Sequence, residues 1–182
     1  MNDSLKILYD EHEIIVNALD AAKQLGAMIG KDNMMYEKNA LRLIHFFRDY
    51  ADTFHHFKEE EILFPEMAKR NELLAGGVIQ EMLDNHSGFQ EVLRTIEKSV
   101  EEKDFPRAQM ELEQYAEDLL NHIAVENEEV FQIAESLFSE TELENMKFRF
   151  DDCDRDLGEK KKQELADFAG SLRKQLFLAG EH

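Results

Sequence analysis

The chain has 182 residues, 43% of them hydrophobic, which suffices for one domain with a substantial core. Its 21 Lys and Arg face 40 Asp and Glu for a formal charge of -19, and the longest basic run, Lys160-Lys161-Lys162, is flanked by Glu159 and Glu164, so neither nucleic acid nor an anionic membrane is an expected partner. Cys153 is the single cysteine, which excludes an intrachain disulfide, and no apolar run approaches the roughly 18 residues of a membrane span; with a polar start, a soluble, cytoplasmic protein is the expectation.

Eight Gly, two Pro and abundant Leu, Glu, Lys and Met point to an all-helical chain. The first helix is expected to be capped by Asp3 or Ser4 and to fade near Gly26 to Gly30. Its inward series is Leu5, Leu8, Ile15, Leu19 and Ala22, with one gap, filled by His12. The second starts at Asp32-Asn33 and runs through Ala40, Ile44, Phe47 and Ala51 towards Ile62 and Leu63, with an end or bend required at Pro65. Its inward face lands on His55 and Glu59, whereas His56 and Glu60 continue the polar series of His45, Asp49 and Asp52, so His56 is expected in solvent.

Gly76-Gly77 marks a turn before the third helix, where Ile79, Met82, His86, Phe89, Leu93, Ile96 and Val100 recur in steps of three and four. Asp104-Phe105-Pro106 opens the fourth, with Leu112, Tyr115, Leu119, His122, Glu126, Val130, Ile133 and Leu137 inward. Ser139-Glu140-Thr141-Glu142 has the form of a capping box, followed by two shorter amphipathic segments separated at Gly158. The expected architecture is an all-α, up-down-up-down four-helix bundle over residues 1–138. Residues 139–182 form additional C-terminal helices that pack on its outside, cross one end, or provide a dimer surface, so a monomer or a homodimer is expected. Lys160 to Lys162 reads as a solvated face and Cys153 as a buried, inert thiol.

Six polar side chains thus occupy inward positions: His12, His55, Glu59, His86, His122 and Glu126. Four belong to a repeated pattern, His-x-x-x-Glu-x-x-x-x-Phe, at His55, Glu59 and Phe64 and again at His122, Glu126 and Phe131. Residues four apart share a helix face, so each copy sets an imidazole beside a carboxylate. One buried His is more often a hydrogen-bonded core residue than a ligand. Six such groups together, with no Lys or Arg on these faces except Lys58, Arg48 and Arg94 at their edges, are a different matter. Two unpaired carboxylates in a core cost several kcal/mol each, and one or two dications remove that cost.

Six ligands exceed the four of a tetrahedral zinc, and calcium or magnesium would not recruit four imidazoles. Mixed imidazole and carboxylate donors suit iron or manganese, and two carboxylates between two histidine sets can bridge a dinuclear centre, so two iron ions are expected. Neither the HExxH pattern of zinc proteases nor the Glu-x-x-His pattern of ferritin-like bundles is present.

With these residues in place the chain resembles the hemerythrin-like (HHE cation-binding) family over about residues 4 to 138. The resemblance rests on Asp10-Glu11-His12, on the run from His55 through Glu59 to Pro65, on Met82-Leu83-Asp84-Asn85-His86 after Gly76-Gly77, and on His122-Ile123-Ala124-Val125-Glu126. It implies a four-helix bundle around a non-haem di-iron centre, with His12, His55, His86 and His122 as terminal ligands. Glu59 and Glu126 would bridge the irons beside an oxo, hydroxo or water ligand. Oxygen carriers of the family place two histidines four apart on the third helix, but Met82 and Gln90 stand four residues either side of His86. One iron is therefore expected to lack a histidine. The pattern is closer to members implicated in iron-centre repair, iron or oxygen sensing, and peroxide handling, and His56 becomes an extra ligand only if the second helix is distorted.

Two functional readings follow. In the first, a small ligand (O2, H2O2 or NO) binds or reacts at the di-iron centre. In the second, the protein is an iron-responsive sensor, or an iron donor for iron-centre repair, whose folding depends on metal occupancy and whose C-terminal helices are the readout.

Overall fold

A computed structural model describes residues 3–180. Residues 1, 2, 181 and 182, which the expected units at 1–138 and 139–182 include, lie outside the described residues. Among the described residues there are helices and no strand. Helix α1 is Lys6–Leu25, α2 spans 33–70, α3 is Val78–Glu101, α4 spans 105–137, α5 is Glu140–Leu157 and α6 is Glu159–Gly180, with one helical turn, Glu72–Ala75, between α2 and α3.

Neither Asp3 nor Ser4 caps α1. Leu5 occupies the cap position, fully buried and without a side-chain bond. The next starts fall where the sequence indicates and are capped by side chains: Asp32 accepts from the Met35 amide at 2.9 Å and Asp104 from the Arg107 amide. Ser139 and Glu142 complete both halves of a capping box, so α5 starts where the sequence indicates.

Helices α2 and α4 are not uniform. α2 is α-helical over Asn33–Phe46, widens into π-helical turns at Phe47–His56 and Glu59–Leu63, and regains α geometry at Phe64–Arg70. In the first widened stretch the Thr53 hydroxyl donates to the carbonyl of Arg48, five residues back. Pro65 lies in the first turn of the last piece, so the rod passes through the proline instead of ending there. α4 repeats the second half of this plan: Phe105–Val125, a π-helical turn at Glu126–Val130, then Phe131–Leu137. An extra residue in a turn rotates everything beyond it by about 100° relative to a continuous α-helix, since each α-helical residue accounts for that angle.

α1 packs on α2 and α4, and α3 packs on the same two, so α1 and α3 are diagonal partners in an up-down-up-down bundle. Its interior is two apolar clusters. The larger holds Ile15 and Leu19 of α1, Phe47 and Tyr50 of α2, Leu93 and Ile96 of α3, and Leu112 and Leu119 of α4. The smaller holds Leu5, Leu8, Leu63, Phe64, Met82, Val130 and Phe131. On every one of the four helices the crossing from one cluster to the other falls at the predicted polar positions.

The two C-terminal helices lie on different parts of the bundle. α6 lies along α1 and adds Leu165, Ala169, Leu172 and Leu176 to the larger cluster, while α5 covers the opposite end with Leu143, Met146 and Phe150. Gly158 between them has φ +106°, in the left-handed region that favours glycine. The lysine run departs in part from its expected role as a solvated face. Lys160 and Lys161 keep that role, Lys161 reaching Asp49 at 2.6 Å from an exposed position, whereas Lys162 enters an internal ion cluster. Cys153 is partly buried, and burial pushes its thiol up, in keeping with an inert thiol.

Truncating a fully buried side chain of the larger cluster leaves a cavity that a tightly packed bundle fills poorly. Leu93→Ala is expected to destabilise the metal-free protein by about 2–5 kcal/mol in urea titration, against a change within about 0.5 kcal/mol for Met34→Ala, whose side chain is 81% exposed.

Candidate metal centre

All six sequence-predicted residues converge in the layer between the apolar clusters, and each is buried. His12 comes from α1, His55 and Glu59 from α2, His86 from α3, and His122 and Glu126 from α4. Ligand atoms of His12, His55, Glu59 and Glu126 lie within 4.8 Å of one another, as do those of a second group made by His86, His122 and His56.

His56 is the correction. Expected in solvent, it is 2% exposed, and its ring stacks on that of His86 at 3.7 Å between centroids. The expectation assumed 3.6 residues per turn throughout α2. The widened turns of Phe47–His56 instead bring two successive residues, His55 and His56, into the interior. At the matching place in α4 the helix is still α-helical and the residue next to His122 is Ile123, also buried but apolar.

The widened turns at Glu59–Leu63 and Glu126–Val130 each begin at a glutamate and hand over to a phenylalanine, so the repeated sequence pattern is also a repeated structure. Phe131 stacks on His12 at 5.5 Å and Phe64 on His86 at 6.1 Å, closing the chamber on its apolar side.

The imidazoles are oriented by their outer nitrogens. Nδ1 of His12 meets Asn127 Oδ1 at 2.8 Å, Nδ1 of His55 meets Glu11 at 2.9 Å, Nδ1 of His56 meets Asp52 at 3.1 Å and Nδ1 of His86 meets Glu60 at 2.7 Å. His122 Nδ1 lies 3.4 Å from the amide of Asn85, whose oxygen accepts once the amide is turned over. Protons on Nδ1 satisfy these acceptors and leave Nε2 bare and aimed inward, the arrangement that second-shell acceptors impose on metal-binding histidines. Of these partners, sequence reasoning singled out none. Asp52 and Glu60 were part of a polar face, and Glu11 was only the neighbour of His12.

Inside the chamber the polar atoms are poorly matched. His12 Nε2, His55 Nε2 and all four carboxylate oxygens of Glu59 and Glu126 have no hydrogen-bond partner among the described residues. The ion-pair distances run only to histidine: Glu126 lies 3.1 Å from both His12 and His122, and Glu59 lies 3.5 Å from His55 and 3.7 Å from His86. His86 Nε2 and His122 Nε2 face each other at 3.0 Å, where two bare lone pairs need a proton or a cation between them.

Burial and the facing charge of Glu126 push the Glu59 carboxyl well above its usual range. Burial also acts to raise Glu126, but the imidazoles of His122, His12 and His86 crowded around it outweigh burial and hold that carboxyl well below. Burial and the neighbouring His12 push His55 down to about 4 against the pull of Glu11, and burial drives His56 down as well. Both rings are therefore neutral at pH 7 and free to donate a lone pair.

Around this chamber the tyrosines serve packing. Tyr115 lies between Phe47 and Phe89, Tyr50 stacks on Phe46, and Tyr9 packs on Phe131 with its hydroxyl donating to the Asn127 carbonyl. Unmatched oxygens and imidazole nitrogens crowded into a dry chamber fit a cation, and their chemistry excludes an apolar guest.

Comparison with protein families matches the hemerythrin HHE cation binding domain over residues 3–134. Comparison with curated proteins and comparison with solved structures each gave no significant match. A buried cluster of His and Glu and a match to a cation-binding family agree on a metal site.

If His56 is a donor, His56→Ala weakens Co2+ binding to one half of the cluster by at least about tenfold, whereas His45→Ala, on the exposed face of α2, leaves both halves unchanged. An optical Co2+ titration of the metal-free protein measures both.

Proposed function

The chain belongs to the hemerythrin HHE cation-binding family, and from that premise we propose that it holds two iron ions and uses them on a small ligand such as O2, H2O2 or NO. The observation that carries this reading is the division of the donors into two adjoining sets with the glutamates facing each other between them. His12 and His55 would hold one ion and His56, His86 and His122 the other, with Glu59 and Glu126 shared.

With His56 included the chamber has five imidazoles. The place of the histidine missing near His86, where Met82 and Gln90 stand, is filled from α2. The histidine-poor half is then the His12 and His55 side, which leaves more positions there for an exogenous ligand. Mixed nitrogen and oxygen donors favour iron over zinc or calcium. Bound iron would supply one-electron redox chemistry and open positions for a small ligand.

The protein's own part is geometric. Asn127, Glu11, Asp52, Glu60 and Asn85 keep Nδ1 occupied and Nε2 pointed inward. Phe64 and Phe131 keep the chamber dry, and Met82 and Val130 continue the apolar wall beyond them.

Anaerobic titration with Fe2+ is expected to saturate at two ions per chain, and exposure to O2 or H2O2 to produce a new near-ultraviolet or visible charge-transfer band. A protein that binds no Fe2+, or that binds it yet shows no band and neither takes up NO nor consumes O2 or H2O2, would falsify the reading. Metal also stabilises: an ion held at 100 times its dissociation constant adds about 2.7 kcal/mol, so a chelator is expected to lower the melting temperature by several degrees.

A further inference from the structure

A second polar cluster lies beside the chamber. Glu11 of α1, Lys58 of α2, Asp154 of α5 and Lys162 of α6 form a closed ring in which each ammonium touches both carboxylates. Lys58 is fully buried, 2.8 Å from Glu11, 2.6 Å from Asp154 and 2.8 Å from the carbonyl of Phe54. Lys162 reaches the same oxygen of Glu11 that Lys58 does, and the other oxygen of Asp154 at 2.5 Å, with its side chain 16% exposed. The second oxygen of Glu11 is the one that receives His55 Nδ1.

Half of this ring comes from outside the matched family region, which ends at residue 134. Asp154 and Lys162 sit on either side of Gly158, where α5 gives way to α6. Removing them leaves Glu11 held by Lys58 alone, while Lys58 loses one of its two carboxylates. Breaking one partner out of a buried ion cluster is costly because it strands the remaining charges. The side chain free to respond is Glu11, and its movement carries the His55 ring with it.

We propose that Asp154 and Lys162 are positioning residues for the His12 and His55 half of the metal centre, acting through Glu11, so that docking of α5 and α6 and occupancy of that half are thermodynamically linked. The inference rests on the metal-binding reading above. Linkage is reciprocal: if the docked helices favour the ion, the ion favours the docked helices by the same factor. The outer nitrogens of His56, His86 and His122 meet Asp52, Glu60 and Asn85 instead, and among the described residues none of these three histidines is hydrogen-bonded to the ring.

The test uses the full chain and Co2+ as the probe. Lys162→Met and Asp154→Asn are expected to weaken one of two Co2+ binding steps by tenfold or more and leave the other within twofold, with Lys162→Arg restoring it. Hydrogen exchange on the unmodified protein supplies a readout that no variant can confound: Co2+ is expected to slow exchange across residues 140–178 by tenfold or more. Equal weakening of both steps, unchanged binding in folded variants, or exchange in α5 and α6 indifferent to Co2+ overturns the linkage while leaving the two-ion reading intact. An unmodified chain that binds no Co2+ overturns both.

Discussion

Glu59 and Glu126 face each other in the middle of a helical bundle with imidazoles and no Lys or Arg against them among the described residues, and the rest of the architecture accommodates that one unfavourable arrangement. Two carboxylates in so dry a place cost several kcal/mol each unless positive charge is brought to them. Histidines supply part of it, as the depression of Glu126 records, and the elevation of Glu59 records what they leave undone. The apolar core is split in consequence: one cluster above the polar layer and one below, each large enough to hold its end of the four helices together.

The polar layer is assembled by departures from α-helical geometry. A continuous α-helix offers a narrow inward stripe, and a chamber that needs imidazole and carboxylate at one depth asks for more from α2 and α4 than the stripe provides. A widened turn begins at each glutamate, and a further widened stretch of α2 brings His55 and His56 inward together. Such turns are frequent at functional sites because they re-aim side chains without interrupting the rod.

Beyond the donors, polarity continues outwards in an ordered way. Each of the five chamber histidines has its outer nitrogen engaged, by residues from all four helices of the bundle, so that tertiary packing and side-chain orientation are one property. On the side of His55 that outer layer extends into a ring of four charges joining α1 and α2 to α5 and α6. A chain with a formal charge of -19 thereby places two of its cations against Glu11 and Asp154, and together with the His55 hydrogen bond they draw Glu11 down to about 2 against the effect of burial.

Much of this was legible in the residues alone. Helix number, the capping box at Ser139, the break at Gly158 and the inward placement of His12, His55, Glu59, His86, His122 and Glu126 all follow from a period of 3.6 and from local capping chemistry, which depend on near neighbours in the chain. His56, Glu11 and Lys162 did not follow. His56 was misplaced because a widened turn carries no mark in the sequence and arises where packing of the surrounding helices rewards it. Glu11 and Lys162 are 151 positions apart, and Lys58 and Asp154 nearly 100; a charge looks solvent-bound in any local pattern until the fold brings its counter-charge alongside. Periodicity thus determined which faces turn inward, while the local width of each turn and the pairing of distant charges were decided only when six helices packed against one another.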